Sequence, residues 1–421
     1  DACPIYLESG HNPAYRPAYR SEVFRRLIRK YAKRGGKWMA PVRGEDIELN
    51  AAAIARLAEL SYRCTICRRC AQACPMGVDN GLLTRELRKL FSQGLGIAAK
   101  ELHESGSMRQ LRVGSSTGMN PRAARDNVEF LDQEASEAAG RSIHTPWDRE
   151  GADVLLIHNA GEFLSWPENP MAFAILLDAA GISWTLSSDL AAYDSVNYGV
   201  WYDDVQFARV AIRQAEAARK LKVKKIVLGE CGHGHKASMV VADRVLTGDL
   251  NVPRESALVL LRDIVRSGRL RLDPSRNDFP VTLHDPCNMV RLMGIVEPQR
   301  EILRAICPQF REMTPHGVDN YCCGGGSGFA IMAGQNFFDW RMSVAGRRKV
   351  RQIAEAFADQ SSPDVKKYVC APCSNCKGQL RDLIQFHGLW EKSGILYGGL
   401  AELIVNAMAD VKPGFLQWEF H

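Results

Sequence analysis

The spacing of four cysteines in the first quarter of the chain constrains its fold and chemistry more than any other feature. Cys64, Cys67, Cys70 and Cys74 follow one another as C-x₂-C-x₂-C-x₃-C, and Pro75 comes next. Three thiolates at this spacing ligate the same cubane [4Fe–4S] cluster, while the fourth ligates the other cluster of a pair. Zinc sites instead use pairs of C-x₂-C separated by longer loops. The motif therefore predicts a cubane held by its first three cysteines, and a protein that carries electrons.

This motif requires ligands from elsewhere in the chain. The cubane needs a fourth thiolate, and Cys74 needs three partners for a second cluster. Cys3, followed by Pro4, has the form of the tail of a second such motif, and the three cysteines expected before it are missing. We therefore expect Cys3 to be a metal ligand, and the natural chain to extend beyond Asp1 and hold two cubanes. The alternative is that the second cluster has been lost and that Cys74 binds no metal.

The thirteen cysteines are clustered, and the clustering bears on the cellular compartment. Ten of them fall in two groups, Cys64–Cys74 and Cys322–Cys376 with Cys287 upstream of the second. Disulfide scaffolds spread their cysteines through small secreted domains, whereas clusters in a long chain favour metal sites in a reducing compartment. No apolar stretch approaches the roughly 20 residues needed to cross a bilayer. We expect a cytoplasmic protein, or one held at the cytoplasmic face of the inner membrane through partner subunits.

The net charge of +6 is concentrated near the start of the chain. Between Arg16 and Gly44 ten basic residues are offset by Glu22 alone. A solvated basic face is the ordinary interpretation, and a docking surface for an acidic partner or an anionic membrane is the alternative. No nucleic-acid recognition motif accompanies the charge, so nucleic acid is not an expected partner.

A second group of cysteines has an unusual pattern. Its members are spaced C-x₃₄-CC-x₄₉-C-x₂-C, and they are Cys287, Cys322, Cys323, Cys373 and Cys376. Adjacent thiolates can bridge neighbouring irons, and the glycines within 324–328 let backbone N–H groups approach a sulfide. A phosphate loop is excluded because no Gly-Lys-Ser/Thr follows. A vicinal disulfide or a buried structural pair remains the alternative to a metal site.

Hydrophobic patterning predicts an α+β multi-domain fold. The first hundred residues have helical periodicity, and from residue 152 short apolar strands alternate with helices, which indicates mainly parallel sheets. A weak internal repeat relates strand Val154–Ile157 to Val281–Leu283, and strand Lys225–Leu228 to Val365–Val369. The second cysteine group then follows strand ends of the second copy, where open parallel sheets bind ligands.

These motifs and their order resemble the CCG-domain iron–sulfur family, which includes the B and D subunits of heterodisulfide reductase. The layout is similar to the D subunit, and to the K subunit of the Dsr complex and the B subunit of the Tmc complex. The resemblance implies that the second cysteine group holds a noncubane [4Fe–4S] cluster, at which disulfides are cleaved or formed. The spacing leaves open whether Cys370 replaces or joins Cys373 as a ligand, although Cys373-Ser-Asn-Cys376 matches the family's closing motif better.

The resemblance also implies the domain organisation. We expect an α-helical two-cluster ferredoxin domain at 1–103, a linker with one short helix at 104–150, a degenerate CCG-like α/β domain at 151–270 and a CCG α/β domain with the noncubane cluster at 271–421. In the first repeat, Asn159, Glu162 and the turn 197–199 stand where cysteines would be. We therefore expect one noncubane cluster rather than two, as in the Dsr and Tmc type.

The first repeat retains one loop that suggests chemistry. Cys231, His233 and His235 lie on a glycine-rich loop after a predicted strand, so they would face the cluster of the second repeat. As catalytic residues, Cys231 would contact the substrate sulfur or the cluster, and a histidine would supply a proton. The alternative is that the histidines are buried structural residues. His284 and Asp285, beside Cys287, are expected to orient ligands rather than to catalyse.

The resemblance implies a heterodisulfide reductase-like oxidoreductase acting on sulfur groups, as a catalytic and electron-transfer subunit of a quinone-linked complex. Electrons would pass from a membrane cytochrome or other quinone-reactive subunit, through the cubanes, to the noncubane cluster. There a disulfide or trisulfide of a thiol protein or small thiol would be reduced, or formed in the reverse reaction. The alternative is the electron-relay subunit of a flavin-dependent glycolate- or lactate-type 2-hydroxyacid oxidising complex.

Overall fold

The N-terminal part of the protein is helical. The computed structural model describes residues 2–332, 334 and 336–420. The side chains of Asn50, Asp79 and Asn120 each accept a hydrogen bond from a backbone N–H in the first turn of the following helix, which fixes where three helices begin. The helices of this part are Pro4–Glu8, Pro17–Tyr31, Gly36–Met39, Ala51–Tyr62, Arg69–Gln72, Asn80–Lys89, Arg109–Val113 and Pro121–Ala139, with wider turns at Leu90–Gly94 and Glu101–Met108.

The predicted linker is more ordered than expected. It contains Pro121–Ala139, a helix of 19 residues that begins with a proline in its first turn and ends before Gly140, whose φ is 64°. Val128 and Leu131 lie on its buried side and belong to the largest apolar cluster. The expectation of a single short helix was therefore wrong, because polar residues on the exposed side concealed the amphipathic pattern.

Two four-stranded parallel sheets follow, as predicted. The strands of the first sheet are β1 (Val154–Ile157), β2 (Trp184–Thr185), β3 (Lys225–Leu228) and β4 (Arg254–Ser256), in the order β2-β1-β3-β4. The strands of the second are β5 (Val281–Leu283), β6 (Phe310–Arg311), β7 (Lys367–Cys370) and β8 (Ile395–Gly398), in the order β6-β5-β7-β8. All pairings are parallel. Because β1 and β3 occupy the same places in their sheet as β5 and β7, the internal repeat is a repeat of structure.

Helices cover both sheets and complete the repeats. Those around the first sheet are Glu162–Ser165, Glu168–Ala179, Asp204–Lys220, Gly232–His235 and Ala257–Arg266. Those around the second are Cys287–Met293, Glu297–Ile306, Phe337–Trp340, Arg347–Ala356, Ser374–His387, Leu389–Ser393 and Leu400–Asn406. All four residues of β1 are buried, as expected for a parallel strand covered on two faces.

One apolar core joins the two repeats. Helix Glu168–Ala179 of the first repeat packs against helix Leu400–Asn406 of the second. Phe173 and Leu403 are both fully buried in the same cluster. The two repeats are therefore held in one fixed relation by apolar burial. Across the described ranges, no helix has the length and apolar character that a membrane span requires.

Truncation of this shared core tests the arrangement. Leu403→Ala is expected to lower the free energy of unfolding by about 2–5 kcal/mol, because it leaves a cavity at the junction of the repeats. Urea unfolding followed by circular dichroism measures the loss. Leu164→Ala is the control, since Leu164 is 54% exposed, and its effect is expected within about 0.5 kcal/mol. Equal effects of the two variants would contradict the shared core.

Candidate iron–sulfur sites

Four thiols gather at the ferredoxin loop. Burial, followed by the thiols of Cys67 and Cys64, raises the pKa of Cys3 to about 12. Burial and the thiols of Cys64, Cys67 and Cys3 likewise raise the pKa of Cys70. Crowding of this kind holds protons on the free thiols, and a bound metal would displace those protons. The four cysteines are therefore a candidate donor set for one cubane, in which Cys3 would be the fourth ligand.

The backbone between these cysteines is curled to bring them together. Ile66 and Arg68 both adopt the left-handed conformation, with φ of 51° and 62°. The Arg69 guanidinium donates to the carbonyl of Ala2 at 2.5 Å, which ties the segment containing Cys3 to the loop. This hydrogen bond holds the segment that contains Cys3 against the ferredoxin motif.

Cys74 lies apart from this set. It is partly exposed, between exposed Ala73 and Pro75. In the part of the chain that the structure describes, it has no hydrogen bond or electrostatic contact with another thiol. Its role as the ligand of a second cubane remains a prediction.

The second group of cysteines also converges. Cys323 Sγ lies 3.5 Å from Cys376 Sγ. The Cys322 thiol interacts with those of Cys287 and Cys323, and the Cys373 thiol interacts with that of Cys376. All five side chains are buried and belong to one cluster. A sequence span of 90 residues, from 287 to 376, therefore closes on a single site.

Secondary structure explains why these cysteines meet. Cys287 begins the helix after β5, and Cys373 precedes the helix after β7, so both stand at carboxyl ends of neighbouring strands. The vicinal pair comes in on a loop whose next residue, Gly324, has φ 93° and donates its N–H to Cys322 Sγ at 3.4 Å. A side chain at Gly324 would also collide with the backbone at Gly346. The glycine after the pair is thus required by both conformation and space.

His284 indicates that a metal-containing group fits this space. Its imidazole is 1% exposed, yet neither ring nitrogen has a hydrogen bond of normal geometry. A ring nitrogen lies within 4.8 Å of the sulfurs of both Cys323 and Cys376. The imidazole interacts with the Cys323 thiol. Buried polar atoms are almost always paired, so ring nitrogens without normal hydrogen bonds among buried thiols fit a site built for a bound metal. His284 is a candidate ligand, whereas the sequence suggested only an orienting role.

A buried ammonium group faces the same thiols. Lys349 Nζ donates to Asn320 Oδ1 at 2.7 Å and is fully buried. Burial lowers its pKa to about 7, while the charges of Asp285 and the nearby cysteines oppose that shift. A cation here would offset the negative charge of a thiolate-ligated cluster. Sequence reasoning missed Lys349, because it stands in a run of basic residues, 347–351, that resembles a solvated face.

The structure separates Cys370 from the five converging cysteines. Cys370 is buried in β7 and belongs to the large apolar core, together with Cys307. The pKa of Cys370 is raised first by burial and then by Glu230, Cys307 and Glu402. These neighbours are not members of the second group. The geometry favours Cys373, not Cys370, as the ligand.

The two candidate sites adjoin each other. Cys67 packs against the cluster that contains the five converging cysteines, and interaction with the Cys322 thiol raises the pKa of Cys67. Arg291 Nη1 donates to the Cys67 carbonyl at 2.9 Å, and Ser327 Oγ donates to the Cys64 carbonyl at 2.9 Å. The loop of Cys64 and Cys67 is therefore held by hydrogen bonds against residues that border the second site. This proximity suits electron transfer between the two sites.

The loop of the first repeat forms a wall of the second site. The Gly232 N–H donates to Cys373 Sγ at 3.3 Å. A side chain at Gly232 would lie 3.2 Å from the same sulfur. Burial, followed by the Cys373 charge, raises the pKa of Cys231 to about 11, so the thiol stays protonated near neutral pH. The predicted approach of this loop to the cysteine site is present.

The two histidines of that loop are engaged elsewhere. His233 contacts the Asn197 carbonyl through Nε2 at 3.0 Å and Trp201 Nε1 through Nδ1 at 3.4 Å. His235 contacts Ser256 Oγ through Nε2 at 2.7 Å, and its Nδ1 contacts the carbonyl four residues earlier. Burial lowers the pKa of each to about 4, so both rings are neutral at pH 7. These contacts favour structural roles, and their assignment as proton donors remains a prediction without geometric support.

Comparisons with known proteins agree with this geometry. Residues 281–381 match the family profile of the cysteine-rich CCG domain, and residues 1–78 match that of the 4Fe-4S dicluster domain. The chain is 25% identical, over 97% of its length and 78% of the relative, to the Hdr-like menaquinol oxidoreductase iron-sulfur subunit 2 of Archaeoglobus fulgidus. It is 27% identical, over 90% of its length and 85% of the relative, to the D subunit of the dihydromethanophenazine:CoB–CoM heterodisulfide reductase of Methanosarcina acetivorans. No solved structure matches the chain significantly.

These matches confirm the resemblance predicted from the cysteine motifs. The chain carries a 4Fe-4S dicluster domain and a CCG domain, and it is heterodisulfide reductase-like over most of its length. Its relatives are named as oxidoreductase subunits, which supports an oxidoreductase role for this chain. The number and type of its clusters remain predictions.

The position of Cys3 can be tested by substitution. Cys3→Ala is expected to convert the cubane to a three-iron form, because the three remaining thiolates ligate only three of its four irons. Electron paramagnetic resonance of the isolated protein detects the change. Cys307→Ala is the control, since Cys307 lies in the apolar core. An unchanged cubane spectrum in Cys3→Ala would mean that another group supplies the fourth ligand.

The choice between Cys370 and Cys373 is tested by a matched pair. Cys373→Ala is expected to lose about 4 irons per chain by destroying the second site. Cys370→Ala is expected to keep its iron, because Cys370 faces the core. Iron and sulfide analysis of both variants measures the difference. Iron loss in Cys370→Ala, with retention in Cys373→Ala, would reverse the assignment.

Proposed function

We propose that this heterodisulfide reductase-like chain is the iron–sulfur catalytic and electron-transfer subunit of a quinone-linked redox complex. It would pass electrons from the cubane site to the site of the five converging cysteines, where a disulfide or trisulfide of a thiol partner is reduced, or formed in reverse. The observation that carries the proposal is the packing of Cys67 against the cluster of the five converging cysteines, where Arg291 donates to the Cys67 carbonyl at 2.9 Å. Two electron-carrying sites in direct contact, one of them buried against a second repeat, suit a protein that delivers electrons to a reaction.

The second site would hold a noncubane [4Fe–4S] cluster through Cys287, Cys322, Cys323, Cys373 and Cys376, with His284 as a further candidate. When bound, such a cluster supplies iron that exchanges single electrons and binds sulfur. Lys349 would balance the charge of the thiolates, and the Gly232 and Gly324 N–H groups would donate to ligand sulfurs. Hydrogen bonds to sulfur and nearby positive charge are the means by which a protein tunes a cluster potential.

Cys231 is the proposed contact for the substrate sulfur. Its thiol stands beside Cys373 on the facing repeat. Asn159 Nδ2 donates to it at 3.6 Å, and the Gly234 N–H donates to it at 3.2 Å. These donors fix the position of the sulfur without removing its proton. A held thiol at the edge of the site can align a disulfide for attack or give a proton to a departing sulfur.

The names of the relatives support a quinone-linked, sulfur-directed role. The Archaeoglobus fulgidus protein is named as a subunit of a menaquinol oxidoreductase, and the Methanosarcina acetivorans protein as a subunit of a heterodisulfide reductase. By analogy we propose a membrane quinone-reactive subunit as the electron donor, and a thiol protein or small thiol as the substrate. The complex would then work at the cytoplasmic face of the inner membrane.

Metal analysis and a disulfide assay test the proposal. One cubane and one noncubane cluster give about 8 irons per chain, and a second cubane at Cys74 raises this to about 12. Reduced methyl viologen is expected to be oxidised by hydroxyethyl disulfide in the presence of the holoprotein. Cys231→Ala is expected to lower this rate about 100-fold with its iron content unchanged.

The exposed variant Glu216→Gln serves as the control for that assay. About 4 irons per chain would refute the second cluster site. A full iron content without any disulfide-dependent oxidation would refute the sulfur-directed role. An unchanged rate in Cys231→Ala would refute the role of that thiol.

A further inference from the structure

A buried charge cluster spans the interface between the two repeats. Lys377 Nζ lies 2.6 Å from Glu162 Oε2 of the first repeat and 3.5 Å from Glu402 Oε1 of the second. Glu230 of the first repeat accepts hydrogen bonds from the backbone N–H groups that begin helix Leu400–Asn406. All four charged side chains are at most 5% exposed. This acid cluster is defined as Glu162, Glu230, Lys377 and Glu402, and its lysine directly follows the candidate ligand Cys376 in the chain.

The charges of the acid cluster do not balance. Three carboxyl groups surround one ammonium, and a net negative charge in a buried site is costly, so the cluster retains protons. Burial, only partly offset by Lys377, raises the pKa of Glu162 to about 7. Burial and the charge of Glu402 raise the pKa of Glu230 well above its usual range. The carboxylates outweigh burial in raising the pKa of Lys377, so that side chain stays charged.

Three further titratable groups face the acid cluster: Tyr368 and Cys370, whose pKa values burial and the carboxylates raise, and His158. Burial, followed by the Lys377 charge, lowers the pKa of His158 to about 3, so the ring is neutral and takes no part in the charge balance. Glu162, whose pKa is raised to about 7, changes its protonation near neutral pH. A group that titrates there can both give and regain a proton under ordinary conditions.

The Ser374 hydroxyl connects Glu162 to the sulfur site. Ser374 directly follows Cys373 and its backbone N–H donates to the Glu230 carbonyl at 2.7 Å, so this residue lies between the cysteine site and the acid cluster. Interaction with its hydroxyl lowers the pKa of both the Glu162 carboxyl and the Cys231 thiol. Neither Ser374 Oγ nor Glu162 Oε1 has a hydrogen bond of normal geometry. A purely structural ion pair would be expected to satisfy such buried atoms. An unsatisfied hydroxyl between the Glu162 carboxyl and the Cys231 thiol is instead suited to handing on a proton.

The opposite end of the acid cluster reaches the surface. A pocket of about 360 Å³ is lined by Glu402 together with Trp166, Tyr368 and Tyr397. Glu402 joins this pocket to Glu162 through the shared Lys377 ammonium. Water in the pocket can therefore renew protons at one end while the sulfur site consumes them at the other.

We propose that Glu162 stores the protons consumed at the five-cysteine site and delivers them through the Ser374 hydroxyl, and that it is recharged from the pocket by way of Glu402. This inference rests on the proposed function. Reduction of a disulfide breaks one S–S bond and forms two S–H bonds. It takes two electrons, supplied through the cubane site by a quinol-class donor, and two protons, supplied by this route.

The pH profile of disulfide reduction tests the route. With reduced methyl viologen and hydroxyethyl disulfide, the wild-type rate is expected to fall as pH rises through about 7, since Glu162 then loses its proton. Glu162→Gln keeps the shape but carries no acidic proton. Its rate is expected to fall about 100-fold and to lose that pH dependence. Glu216→Gln, an exposed substitution, is the control and is expected to keep the wild-type profile.

Substitution at Ser374 separates a proton route from a structural ion pair. Ser374→Ala removes the hydroxyl and is expected to slow turnover like Glu162→Gln, whereas Ser374→Thr retains a hydroxyl and is expected to restore the rate. Iron and sulfide content checks that each variant keeps its clusters. Wild-type pH dependence in an iron-replete Glu162→Gln would overturn the proposal.

A further measurement is independent of turnover. In the wild type, the reduction potential of the second cluster is expected to vary with pH, because its reduction recruits a proton to the site. That dependence is expected to disappear in Glu162→Gln, along with the infrared C=O stretch of a protonated carboxyl. If the wild type reduces no disulfide, the proposed function fails, and this measurement then decides the proton route by itself. Identical potentials and infrared spectra in wild type and variant would overturn the route.

Discussion

The contact between the Cys64–Cys70 loop and the loop of the vicinal cysteines is the interaction on which the other features depend. Neither loop has regular structure that could hold it in place. The Arg291 guanidinium fixes their relation, because it donates to the carbonyls of Cys67 and Val318 at the same time. One planar cation thus brings together ligands of two sites that lie far apart in the sequence. Without this junction the ferredoxin domain would be a carrier with no defined acceptor.

The pairing of the two α/β repeats determines what surrounds the second site. The second repeat supplies the five thiols of the site. The first repeat lacks the matching cysteines, and it contributes Cys231 and Glu162 instead. The first repeat is therefore more than the remnant of a lost cluster site. Its loops place a protonated thiol and a titratable acid against a site that would otherwise face solvent. A sulfur reaction that needs electrons from one side and protons from the other suits such an asymmetric pair.

Much of the fold was predictable, because its signals are local. The apolar runs Val154–Ile157, Lys225–Leu228 and Val281–Leu283 are strands with the predicted bounds, and the repeat of parallel sheets follows from their alternation with helices. The short strands β4, β6 and β8 escaped prediction, because two to four residues at a sheet edge carry too little pattern. Helix Pro121–Ala139 escaped because its exposed side is strongly polar.

For the sites, the sequence by itself determined the chemistry: thirteen cysteines in spaced groups, and a ferredoxin motif that requires an outside ligand. Spacing along the chain indicates which thiolates can bind the same cluster. The ferredoxin motif needs one more ligand, and the Cys3-Pro4 pair made Cys3 the expected one. Only the tertiary structure decided which residues border the clusters. It placed Cys370 in the core, set the His284 ring beside the sulfurs of Cys323 and Cys376, and buried Lys349 and Glu162. The reason is physical: a charged or polar side chain acquires its role from burial and from partners distant in sequence, and no local pattern records either.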